Sequence, residues 1–67
     1  MRIDRIKLIS EMARRDMSVL KLSELSGVSR VTITSVRTGK TCSSSTLAKL
    51  AAGLGVDPSE LIEAKNE

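Results

Sequence analysis

The sequence predicts an all-α fold: a compact bundle of five short helices in a single domain spanning residues 1–67. Three observations carry this expectation. A helix-start signature repeats four times, each an apolar residue, a capping residue and a second apolar residue five positions after the first. The four are Met17–Ser18–Leu22, Val28–Ser29–Ile33, Cys42–Ser43–Leu47 and Val56–Asp57–Leu61. Gly27, Gly39 and Gly55 each fall just after a helix should end, where glycine takes the left-handed conformation at low cost. Ahead of the first signature, apolar residues recur at helical spacing.

The first helix is expected from about Asp4 to Arg15, with Ile3, Ile6, Ile9, Met12 and Ala13 turned inward. The second should run from Val19 to Ser26, with Leu22 and Leu25 inward and the Ser18 oxygen accepting a free N–H of its first turn. The third, Arg30 to about Thr38, has to overcome its own composition. Val28, Val31, Thr32, Ile33, Thr34 and Val36 all have strand propensity, and alternation does not exclude a strand locally. A lone strand among helices has no partner, however, and is not stable. The stretch therefore reads as a helix whose apolar residues Ile33 and Val36 face one way. The fourth helix is expected over Ser44–Leu54, with Leu47, Leu50, Ala51 and Leu54 inward. The fifth should span Pro58 to about Ala64, with proline at its first position and Glu60 completing a capping box with Asp57.

Composition excludes several classes of function. A chain of this size buries only ~60% of its unfolded surface, so it needs very regular packing or a partner; a small core argues mildly for a homodimer. Cys42 is the only cysteine and there is no histidine, so neither an internal disulfide nor the usual Cys/His zinc site can form. Cys42 is expected to be a small buried hydrophobe. Ser43, Ser44 and Ser45 have no base to activate them, and the cap accounts for Asp57 and Glu60. No enzyme activity, cofactor or metal is expected. Apolar runs reach only two or three residues, far below the ~20 that cross a bilayer. The N-terminus is charged from Arg2 and has no apolar core of the signal-peptide kind. The expected location is the cytoplasm.

The formal charge is +3, but it is unevenly spread. From Arg14 to Lys49, seven cations (Arg14, Arg15, Lys21, Arg30, Arg37, Lys40, Lys49) stand against Asp16 and Glu24, a balance of +5. From Leu50 onward, Lys65 stands against Asp57, Glu60, Glu63 and Glu67, a balance of −3. A basic middle points to a polyanionic partner. With no Phe, Tyr or Trp, the stacking platforms that hold single strands are missing. A duplex read through its groove needs none.

Helices two and three are joined by SGVS, a tight turn with glycine leading into an N-capped helix. This is the helix-turn-helix arrangement, here over residues 19–38, in which the second helix enters the major groove. Ser23 is small where the two helices meet, Gly27 makes the turn, and Val28, Ile33 and Val36 plug the junction. The stretch LSELSGVSRVTITSVRTGK resembles the phage-repressor and Cro-like helix-turn-helix family, often called the XRE family. TLAKLAAGLGVDPSELIE resembles that family's fourth and fifth helices, so the likeness covers roughly residues 17–63.

The resemblance implies a lambda-repressor-like domain that binds double-stranded DNA and regulates transcription, often as a homodimer on palindromic operators. Carried over position by position, Arg30, Val31, Thr34 and Ser35 would face base edges. The residue types suit this: Arg30 can donate two hydrogen bonds to a guanine, and Val31 offers apolar contact for a thymine methyl. Ser18, Lys21, Ser29, Arg37, Thr38, Lys40 and Thr41 would position the phosphates. Two positions depart from the family. Val19 stands where members commonly have a glutamine that contacts DNA. Arg37 stands where many have a glutamate paired to a first-helix arginine; here it could reach a phosphate, or pair with Glu11 or Asp16. With no further domain in the sequence to contact other machinery, repression by operator occupancy is expected over activation. The rival expectation is a protein-interaction module of antitoxin or anti-regulator type, using the same fold with DNA binding secondary. The fifth helix would cover the domain's own core through Leu61 and Ile62, or share that surface with a twin.

Overall fold

The structure is a computed structural model that describes residues 2–62. Four α-helices follow one another: α1 (Arg5–Arg14), α2 (Val19–Ser26), α3 (Arg30–Arg37) and α4 (Ser44–Leu54). A single 3-10 turn, Pro58–Glu60, closes the described chain. α2 packs against α4 and α3, and α1 packs against α3. No helix among the described residues is long and apolar enough to cross a membrane.

The starts of α2, α3, α4 and the closing turn have the expected caps, and α1 is capped by a residue expected inside the helix. The side-chain oxygens of Ser18, Ser29 and Ser43 accept from the backbone N–H of Lys21, Thr32 and Thr46 at 3.1, 3.2 and 3.1 Å. Asp4 caps α1 through Ile6 and Lys7. Asp57 accepts from the Ser59 N–H at 2.9 Å and its hydroxyl at 2.8 Å; these bonds hold its carboxyl below the usual aspartate pKa. The staples close as well. Leu22, Ile33, Leu47 and Leu61 are buried, and Met17, Val28, Cys42 and Val56 pack on the same core. Cys42 is half-buried rather than fully buried, and that burial pushes its thiol pKa up.

Two expectations fail for physical reasons. The inner face of α1 is Leu8, Glu11 and Met12, while Ile6, Ile9 and Ala13 are exposed. Steps of three residues drift ~60° around a helix of 3.6 residues per turn, so the Ile3–Ile6–Ile9–Met12 series cannot stay on one face. Leu8 to Met12 is a step of four and does. Ile3 is buried, but it lies before the helix. In α2, Leu25 is about half exposed, so Leu22 alone is buried there.

The fifth helix is also shorter than the sequence suggests. The capping box forms, with Glu60 reaching back to the Asp57 N–H at 3.4 Å, but only one 3-10 turn follows. The Asp4 N–H donates to the Leu61 carbonyl at 2.7 Å, and Ile62 pairs with Ile3 in an isolated antiparallel bridge. At Leu61 and Ile62 the backbone thus pairs with the chain's own N-terminal segment instead of continuing as helix. Glu63 and Ala64, the expected end of that helix, lie outside the described residues. Leu61 is buried in this chain's own core, and Ile62 is exposed beside the bridge.

Candidate nucleic-acid interface

The turn between α2 and α3 is built by three local features. Gly27 sits at φ 77°, the left-handed region, and its N–H donates to the Ser23 carbonyl at 2.9 Å. The Ser26 hydroxyl oxygen accepts from the Val28 N–H at 3.2 Å. Val28 then enters the core, and Ile33 and Val36 on α3 are buried beside it. These three apolar groups fix the rotation of α3 about its own axis.

That rotation turns the other face of α3 to solvent. Arg30, Val31, Thr34 and Ser35 are brought together and line one open hollow on the surface. Val31 is 77% exposed, the most of any large apolar residue described. An apolar side chain so exposed, flanked by a guanidinium and two hydroxyls, gives a surface with both directional donors and a contact for a methyl group.

The residues expected around this face are exposed in the main, with different amounts of bonding capacity left. Lys21, Lys40 and Thr41 are exposed. Ser18 and Ser29 are exposed, and each spends a lone pair on its cap. Ser29 and Thr32 also share one hydroxyl hydrogen at 2.9 Å, so the pair keeps one hydroxyl hydrogen for an outside acceptor. The Thr38 hydroxyl donates to the Ser35 carbonyl at 2.7 Å; as the structure stands, it has only lone pairs to offer. Arg37 is half-buried. Its Nε is enclosed with no hydrogen-bond partner, and the pairing with Glu11 or Asp16 anticipated for it does not form.

Glu11 is engaged elsewhere. Its carboxylate is 3% exposed on the inner side of α1. It lies 3.5 Å from Lys7 Nζ, 3.3 Å from Arg14 Nη1 and 2.6 Å from Arg15 Nη1. Arg15 also donates to the Glu11 carbonyl at 3.0 Å. Hydrogen bonding from Arg15 is the main reason that its pKa lies below the ordinary glutamate value. A buried carboxylate needs this compensation. Sequence reasoning offered Glu11 only as a partner for Arg37, although basic residues four before, three after and four after it are the signal for pairing along its own helix. These pairs engage Arg15 and one nitrogen of Arg14, whose side chain stays largely exposed. Among the described residues, Arg2, Arg5, Lys21, Arg30, Arg37, Lys40 and Lys49 form no ion pair.

Comparisons with known proteins agree with this architecture. A family model described as the Cro/C1-type HTH DNA-binding domain matches residues 7–67. Two solved structures share the fold: one described as "Phpd with cadmium complexed with hydroethylphosphonate (HEP)", the other as "Native PhpD with Cadmium Atoms". Each has a TM-score of 0.82 and 25% identity over 100% of this chain. The chain spans only 15% of their length. No curated protein sequence matches it.

Proposed function

The chain belongs to the Cro/C1-type helix-turn-helix DNA-binding domain family, and from this premise we propose that it binds double-stranded DNA sequence-specifically as a transcriptional repressor. The observation that carries the reading is the split of α3 into two faces. Val36 and Ile33 lock it to the body, while Arg30, Val31, Thr34 and Ser35 share one exposed hollow. α3 lies in the major groove with that face to the base edges. Arg30 reads a guanine through paired hydrogen bonds, Val31 meets a thymine methyl, and Thr34 and Ser35 bond further edges. Ser18, Lys21, Ser29, Arg37, Thr38, Lys40 and Thr41 contact phosphates and set the register. Thr38 does so only after its hydroxyl turns away from Ser35, because its backbone N–H already donates to the Thr34 and Ser35 carbonyls. A helix filling the groove excludes anything else that needs the same site, so operator occupancy is sufficient for repression. A homodimer would read a palindrome whose half-sites lie about one helical turn apart.

Selecting bound sequences from random duplexes identifies the preferred site. Arg30→Ala should then weaken that site by about 5- to 150-fold, corresponding to ~1–3 kcal/mol, while leaving binding to random duplex much less affected. Equal losses on both would make Arg30 a phosphate contact and refute its base-reading role. The rival reading keeps the fold as a protein-interaction module of antitoxin or anti-regulator type. The acidic balance from Leu50 onward leaves room for it, as does Val19 in place of the usual glutamine. Absence of binding to any duplex at low salt would favour the rival.

A further inference from the structure

We propose that Arg5, at the first position of α1, is a further phosphate-positioning residue, acting with Arg37 and Lys40 as one cationic clamp at the C-terminal end of α3; this rests on the DNA-binding reading above. The fold brings the two helix ends together. The Arg5 Cδ lies 3.9 Å from the point where a side chain on Gly39 would begin, and Gly39 is the residue between Thr38 and Lys40 in the turn that follows α3. Gly39 has φ 102°, so this turn presents bare backbone to the Arg5 stem.

Local energetics give Arg5 no reason to be there. Cations are disfavoured in the first turn of a helix, because the macrodipole is positive at that end. The first turn of α1 contains no acidic residue. The neighbouring carboxylate, Asp4, accepts from the Ile6 and Lys7 N–H groups. Lys7 finds Glu11; Arg5 finds no carboxylate within ion-pair distance among the described residues. Arg37 and Lys40 lack one too. Three cations with no carboxylate partner among the described residues, at one end of the recognition helix and one of them supplied by a different element, make a site for an anion. A DNA phosphate beside the groove is the anion that the adjacent base-facing hollow implies.

The test is the salt dependence of binding to a preferred and to a random duplex. Each lost phosphate contact reduces the slope of log affinity against log salt by ~0.9. Arg5→Ala should reduce the slope by about that amount and weaken both duplexes equally, and Arg5→Lys should restore most of it. Arg14→Ala removes the same charge from the other end of α1 and should leave the slope in place; thermal melting checks that each variant is folded. A slope for Arg5→Ala equal to that of Arg14→Ala, with the unaltered chain binding, overturns the assignment of Arg5 alone. Failure of the unaltered chain to bind duplex overturns the DNA-binding reading and this inference with it.

Discussion

Gly53 lies inside α4, where glycine is normally a defect. In an open helix interior, replacing it with alanine would stabilise the fold by ~1 kcal/mol, because alanine restricts the unfolded backbone and glycine does not. Here the opposite is expected. A Cβ built at Gly53 would lie 2.9 Å from the Ser26 Cβ, 3.2 Å from the Ser26 Cα and 3.2 Å from the Leu22 Cδ1. Carbon atoms prefer about 3.5–4.0 Å. Two of those neighbours are backbone, or bonded directly to it, so rotating a side chain gives no relief; α2 and α4 have to move apart. Overpacking of this kind costs ~1–3 kcal/mol. Set against the propensity gain, Gly53→Ala should lose about 1 kcal/mol. For a domain of this size, that lowers the melting temperature by roughly 4–8 °C. Thermal unfolding followed by circular dichroism measures it. Adding Ser26→Gly removes the closest atom, and the double-mutant cycle should show favourable coupling between the two changes. A rise in melting temperature for Gly53→Ala, as an exposed helix glycine would give, refutes the argument.

Two further outcomes test the packing of α1. Leu8→Ala should cost ~2–5 kcal/mol as a cavity in the core, whereas Ile6→Ala should stay within about 0.5 kcal/mol; similar losses at both would mean that the face of α1 is assigned wrongly. Glu11→Gln should lower the melting temperature at pH 7, because the folded carboxylate has a depressed pKa. Its stabilisation is present above the unfolded pKa and disappears as pH falls through the folded one, so melting curves of the two proteins should converge in acid. A difference that does not change with pH would show that Glu11 acts by shape rather than charge.

The parts legible in the sequence are those decided within five residues. A capping serine and its staple act across one turn, so the starts of α2, α3 and α4 could be read directly, as could the glycines that end α2 and α4. The two-faced character of α3 was legible for the same reason: Val28, Ile33 and Val36 form a local lock. The parts that were not legible depend on distant chain. The capping box at Asp57 specifies where a helix begins and is silent about its length; after one turn the backbone instead pairs with the segment at Ile3 and Asp4. Gly53 reads as a weakness until Ser26 is placed against it. The inward face of α1 is set by α3 and the core, and a run of isoleucines three apart imitates a helical stripe that the 3.6-residue turn then disperses.

Arg37 connects these points. In a member with the usual glutamate at this position, a first-helix arginine neutralises it and the pair ties α1 to α3 internally. Here the first-helix carboxylate, Glu11, is satisfied within α1 by Lys7, Arg14 and Arg15, and α1 is held to the body by Leu8 and Met12 instead. The C-terminal residue of α3 is then free to be a cation, which suits the negative end of the helix dipole. Its enclosed Nε has no partner, which sets a modest cost against holding the stem in place. Arg37 therefore places a positive charge, on a half-buried stem, at the end of the helix proposed to enter the groove. In that reading Arg37 and Arg5, neither with a carboxylate partner among the described residues, both leave charge at this end of the domain for an acceptor outside the chain.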